Sequence, residues 1–152
     1  MDTSYTFTDF TAGRVFDLGP IEVDGAEMLA FAQRFDPQPF HVDEQAGKES
    51  LYGAVIASGW FTASLWMRAY ADTVLNRSVS LGSPGGEELR WPAPVFAGDV
   101  LRASMEVLEA RVSNSKPWMG LVRLRGQAHR DDVLVFSSTF TGIFGTDVPP
   151  PS

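Results

Sequence analysis

The sequence holds no cysteine and only two histidines among its 152 residues. The first absence removes disulfides, thiolate metal sites and a cysteine nucleophile together, and leaves the redox compartment unread. The second confines imidazole acid-base chemistry to His41 and His129. Positive charge is also scarce, with 12 Lys and Arg against 19 Asp and Glu and a formal net charge of -7. That balance opposes the counterion release that drives most nucleic-acid binding, so no DNA or RNA partner is expected. It does not exclude an anionic ligand held by local cations and backbone N–H groups. No unbroken apolar run reaches the roughly 18 residues of a membrane span, so no membrane partner is expected. The early residues Asp2, Asp9, Arg14 and Asp17 interrupt any signal-peptide pattern. A cytoplasmic location follows by default.

What is present fits one domain spanning residues 1–152, with a core over about 14–145. Residues 14–23 mix β-branched and aromatic side chains around Gly19-Pro20 and read as a short interrupted strand. Asp24 and Glu27 stand in capping-box register before Met28, Leu29, Phe31, Ala32 and Phe35, which predicts a helix over about 25–35. Pro37 and Pro39 end it, leaving Asp36 to His41 as a stiff, extended loop. Asp43 is placed to cap a short helix over Glu44 to Glu49. Residues 57–75 carry no glycine or proline after Gly59 and are apolar on almost every face, as in a central helix buried on most sides. Gly82, Pro84, Gly85 and Gly86 break the chain before strands at about 87–92, 99–112, 119–130 and 133–144. Leu101, Ala103, Met105 and Val107 alternate with polar residues, as do Val122 and Leu124 with Arg123 and Arg125, and Asp131-Asp132 suits a hairpin turn. The closing DVPPPS is expected to fray. One strand, a helical region and four strands imply an α+β fold: an antiparallel sheet wrapped around one long central helix. Such a sheet has edges, so at least a dimer is expected.

Few residues offer chemistry. His41 lies in Phe35-Asp36-Pro37-Gln38-Pro39-Phe40-His41, where two prolines could hold a carboxylate and an imidazole in place without an ordering cost at each turnover. On the residues alone, Asp36 could equally close the helix as an Asx-turn, with His41 capping the next helix or binding a carbonyl. His129, beside the hairpin turn, reads as a surface or interface residue. The two histidines have no partner in metal-ligand spacing, Ser58-Gly59 lacks a nucleophile elbow, and Gly82 to Gly86 form no phosphate loop. Gly59 opens the central helix, where either unpaired N–H groups would welcome an oxyanion or the glycine simply allows close packing.

The segments D-P-Q-P-F-H-V-D and L-Y-G-A-V-I-A-S-G-W resemble the hydratase motif of MaoC-like dehydratases and (R)-specific enoyl-CoA hydratases. The later P-V-F-A-G-D-V-L and S-N-S-K-P-W-M-G also resemble segments of that family. The resemblance implies a hotdog dimer, or an assembly of such dimers in twos or threes, with a site near the subunit interface. It implies reversible addition of water to a 2-enoyl-CoA, giving a 3-hydroxyacyl-CoA. Asp36 and His41 would then be the acid/base pair, and Gly59 N–H the oxyanion donor. Coenzyme A would enter only as part of the acyl-CoA substrate, with no metal and no other cofactor. Two departures bear on geometry: Gln38 stands where the family usually has Asn, and Ser58 where His is common. Gln38, Ser58, Trp60 and Phe61 are expected around the substrate, the two aromatics either shortening an acyl pocket or filling the core. Some of Arg90, Lys116, Arg123 and Arg125 are expected near the pantetheine or phosphate path, unless they only solvate strand faces. Two other readings remain: a hotdog thioesterase using a carboxylate of the central helix, where Asp72 lies near the far end, or a non-catalytic acyl-CoA-binding subunit of a larger dehydratase.

Overall fold

The computed structural model describes residues 5–152; Asp2, one of the charges weighed against a signal peptide, lies outside the described residues. Strand β1 (Val15–Glu22) leads to helices α1 (Gly25–Phe35), α2 (Pro39–Val42), α3 (Glu44–Glu49) and α4 (Gly59–Thr73), and strands β2 (Ser80–Arg90), β3 (Val100–Val112), β4 (Met119–Arg130) and β5 (Val133–Gly145) follow. The strands form one antiparallel sheet in the order β1-β3-β4-β5-β2, curled around α4 as a hotdog. Among the described residues no helix is long and apolar enough to cross a membrane.

Local signals account for most boundaries. The Asp24 carboxylate accepts from Glu27 N–H at 3.0 Å and starts α1, while that of Asp43 accepts from Ala46 N–H at 2.7 Å and starts α3. The β4–β5 turn places Asp131 at φ 50°, a left-handed conformation that Asp tolerates in tight hairpins. In β1 the register slips between Asp17 and Gly19, and Gly19 takes φ 87°, the interruption expected at Gly19-Pro20.

Three expectations need correction. Strand β2 does not begin after the glycines; it runs through Gly82, Pro84, Gly85 and Gly86 and ends at Arg90. It can do so because it is an edge strand, paired only to β5, whose register shifts repeatedly along this stretch, and an edge tolerates proline and bulged glycine. The Asp36 to His41 segment is not extended throughout, since Pro39 occupies the first turn of α2. Nor is α4 buried on most sides. Phe61, Thr62, Trp66 and Tyr70 face the sheet, whereas Trp60 and Met67 are exposed, because within one chain the sheet covers a single face.

Packing beneath α4 explains the register of the central strands. Leu101, Ala103, Met105 and Val107 of β3 and Val122, Leu124 and Ala128 of β4 are buried at alternate positions, as the pleat requires. Trp66 descends from α4 onto Gly126, where a Cβ would collide with its indole, and donates its Nε1–H to Ser104 O at 2.9 Å. It stacks on Tyr70 with ring centroids 4.9 Å apart. Gly126→Val is therefore expected to lower stability by about 1–3 kcal/mol through overpacking. Urea unfolding checks this, and an unchanged midpoint would refute the close fit.

Candidate active site

The site is assembled from the two proline-bounded turns and the start of α4. Asp36 caps α1, its backbone N–H donating to Ala32 O at 2.9 Å. The chain then turns tightly, with Gln38 N–H on Asp36 O at 2.8 Å and His41 N–H on Gln38 O at 2.9 Å. Within that turn His41 swings back until Nε2 lies 3.3 Å from Asp36 Oδ2. On its other side, Nδ1 lies 2.8 Å from Ile56 O. A carbonyl only accepts, so Nδ1 carries the hydrogen and Nε2 is the nitrogen free to gain and lose a proton. His41 is only 5% exposed, so its orientation is fixed by packing as well as by that bond.

Asp36 is held just as closely. Gln38 Nε2 donates to Oδ1 and Ser58 Oγ donates to Oδ2, both at 2.7 Å. Burial pushes the carboxyl upward, yet the hydrogen bonds from Ser58 and Gln38 and the charge of His41 outweigh it and leave it below its ordinary value of 3.8. Ser58 is fully buried at the N-cap of α4 and makes no capping bond there, because its hydroxyl is given to Asp36. The first N–H groups of α4, beginning at Gly59, therefore keep their outward donor capacity and the positive end of the helix dipole.

A cavity of about 400 Å³ opens onto this group, lined by His41, Gly59 and Thr62 on one side and by Tyr52, Trp91 and Val135 among others. Of the residues singled out in the sequence, His41 and Gly59 line the cavity, and Asp36, Gln38 and Ser58 adjoin it as the hydrogen-bonded group around His41. Trp60 and Phe61 line it nowhere: Phe61 is 3% exposed in the core, and Trp60 is 58% exposed. His129 is half-buried on β4 and does not line the cavity. None of the four basic residues lines it either. Arg90 pairs with Glu88, Arg123 with Glu87 and Arg125 with Glu106, none of them in the lining, and Lys116 sits in the β3–β4 turn. Asp72 pairs with Arg68 on the exposed side of α4. Among the described residues no group of three or more His, Asp or Glu side chains could hold a metal.

Sequence reading missed the cavity's far wall. The segment Trp91-Pro92-Ala93-Pro94-Val95 crosses from β2 to β3, and Val95 O accepts from Ala57 N–H at 2.8 Å. Arg130 pins it, donating to Pro94 O and to Asp99 Oδ2, both at 2.8 Å. The signal available was a tryptophan followed by two prolines in one short stretch, which marks a stiff connection.

Comparison with known proteins places the chain. The MaoC-like domain matches residues 8–122, and the chain belongs to that family. A MaoC-like dehydratase from Rhodospirillum rubrum is 33% identical, with a TM-score of 0.84 over 96% of this chain and 100% of that one. The uncharacterized protein YdeM of Bacillus subtilis (strain 168) is 28% identical over 101 residues, 66% of this chain and 72% of its own. The unliganded R-hydratase PhaJ1 from Pseudomonas aeruginosa is similar in fold, at 21% identity and a TM-score of 0.71 over 97% of this chain and 95% of that one.

Removing the Ser58 hydroxyl removes a contact that favours the ionised Asp36. In Ser58→Ala the Asp36 carboxyl is expected to titrate at higher pH than in the wild type, followed by carboxyl-carbon NMR. The folded value lies below the unfolded one, so Asp36 contributes stability that is fully present above the ordinary value of 3.8 and is lost as pH falls through the lowered native value. Ser58→Ala should narrow that acid window, and an unmoved Asp36 titration would show that Ser58 does not set its charge.

Proposed function

We propose that the protein is an acyl-thioester hydratase/dehydratase, a hydro-lyase that adds water reversibly across the double bond of a 2-enoyl-CoA to give a 3-hydroxyacyl-CoA. The observation that carries the proposal is the Asp36–His41 pair, 3.3 Å apart, beside the N-terminus of α4 at a single cavity. Family membership and the fold shared with the R-hydratase support it.

In this reading Asp36 Oδ2 and His41 Nε2 hold the attacking water. Its oxygen bonds to C3 of the enoyl group while Nε2 takes one of its protons. The electrons of the double bond shift toward the thioester oxygen, where the Gly59 N–H and the helix dipole stabilise the charge. One such preorganised donor is worth about 3–4 kcal/mol at the transition state. The ionised Asp36 balances the imidazolium, and the pair then returns the proton to C2. Net addition is H to C2 and OH to C3; dehydration is the reverse. No metal or redox cofactor enters, and coenzyme A enters as part of the substrate. The thioesterase alternative has less support, since Asp72 is tied to Arg68 and does not line the cavity.

Incubation with crotonyl-CoA and longer enoyl-CoAs should bleach the enoyl-thioester absorbance without releasing thiol. Asp36→Asn and His41→Ala should each lower kcat/KM by about 10²–10⁴-fold, the range for a positioned acid or base. Thiol release with no hydration would transfer the assignment to a thioesterase, and full activity in both variants would remove the pair from the mechanism.

We also propose a homodimer, or an assembly of such dimers, because β2 leaves a long sheet edge unpaired beside the exposed Trp60 and Met67. Sedimentation equilibrium should give at least twice the 16.6 kDa chain mass, and a monomer at micromolar concentration would contradict this.

A further inference from the structure

Two cavities adjoin each other along α4 and the sheet. The first is the cavity of about 400 Å³ that holds His41 and Gly59. The second, of about 290 Å³, is lined by Trp60, Ala63, Met67, Leu89, Phe136 and Phe140, with Trp66, Ser64 and Ser138 completing it. Their linings are next-door residues. On α4, Gly59 and Thr62 belong to the first and Trp60 and Ala63 to the second; on β5, Val135 belongs to the first and Phe136 to the second. Around the end of β2, Leu89 lines the second and Trp91 the first.

Trp60 and Trp91 meet at this boundary, edge to face, with centroids 5.3 Å apart and planes at 75°. The Trp91 indole lies against the α-carbon of Gly59, so closely that a Cβ there would collide with it. Trp91 is 39% exposed, yet its backbone is not free to drift, since Pro92 and Pro94 follow it and Arg130 holds Pro94 O. No Asp, Glu, Lys or Arg side chain lines either cavity.

We infer that the Trp60–Trp91 pair is a partition that closes the reacting cavity off from an adjoining apolar one and so restricts the enzyme to short acyl groups. The inference rests on the hydration reading for its substrate class and names Trp91 and Trp60 as its specificity-determining residues. The reacting cavity lies near the lower end of the roughly 300–1,000 Å³ typical of ligand pockets. It has room for the thioester, the double bond and a short chain. A longer chain must displace the indole pair to reach the apolar space beyond it.

The test compares kcat/KM for crotonyl-, 2-hexenoyl- and 2-decenoyl-CoA in the wild type, Trp91→Ala and Trp60→Ala, each checked for native folding by circular dichroism and thermal melting. The wild type is expected to lose at least about tenfold between the shortest and longest substrates, within the range set by apolar pocket fit. Trp91→Ala should abolish that loss, read as the ratio of the 2-decenoyl-CoA to the crotonyl-CoA value within the same variant, whatever its absolute activity. Trp60→Ala should shift the profile the same way, and it carries the test if Trp91→Ala does not fold. Folded variants with the wild-type chain-length profile would overturn the partition. Should the wild type hydrate none of these substrates, the hydration reading fails separately, and the partition is then read from calorimetric binding of butyryl-CoA and decanoyl-CoA. Trp91→Ala should tighten decanoyl-CoA relative to butyryl-CoA by about tenfold. An unchanged ratio would overturn the partition independently of any activity.

Discussion

Ser58 stands at the N-cap of α4, the position where a serine ordinarily satisfies its own helix, but its hydroxyl reaches Asp36 at 2.7 Å instead. That hydrogen bond ties the turn after α1 to the start of α4, and much of the site follows from it. It helps hold Asp36 ionised, keeps Oδ2 against His41, and leaves the first N–H groups of α4 without a side-chain cap. A cap made in the usual way, from the N–H of Trp60 or Phe61, would gain about 1 kcal/mol of helix stability. Stability at one helix end has in this sense been exchanged for a fixed carboxylate.

The imidazole depends on the same construction from the other side. Its Nδ1–H is bound to Ile56 O, and Phe40 O accepts from Ile56 N–H at 3.2 Å, so one residue grips the α2 turn twice. Ala57 N–H in turn binds Val95 O, which joins this strip to the wall held by Arg130 and Asp99. That ion pair is partly buried, with the side chains 24% and 16% exposed, so it is screened less than exposed pairs such as Arg123–Glu87. The cavity is thus bounded by short, proline-bearing segments that are cross-bonded to one another and need little ordering when a ligand enters.

Much of this was legible in the sequence, and what was not has a common cause. Caps at Asp24 and Asp43, the alternation in β3 and β4 and the turn at Asp131 are local signals, written within a few residues of the elements they set. Strand β2 was misread because Gly82, Pro84, Gly85 and Gly86 look like a break unless it is known that the strand is an edge. The exposed flank of α4 was misread because apolar periodicity shows what a helix can bury, and not what one chain supplies to cover it. Asp36 and His41 stood out as candidates through proline stiffness and the motif, but the bend that joins them needed the helical turn at Pro39. Ser58 and Trp91 act across sequence separations that no local period encodes: 22 residues separate Ser58 from Asp36, and Trp91 meets Gly59 from a different element altogether.

Gly59 joins the two halves of the site. As the first residue of α4 it carries the N–H to which the proposed reaction assigns the oxyanion, a role any residue's backbone could fill. What only glycine allows is the indole of Trp91 against its α-carbon. In the proposed reaction, the same missing Cβ would therefore set how near the aromatic wall stands to the thioester carbonyl. On the proposed reading chemistry and acyl selection are coupled at one position, since a larger residue there would push Trp91 outward. On that reading, changes in acyl range that spare the oxyanion donor are open at Trp91 and Trp60 and closed at Gly59.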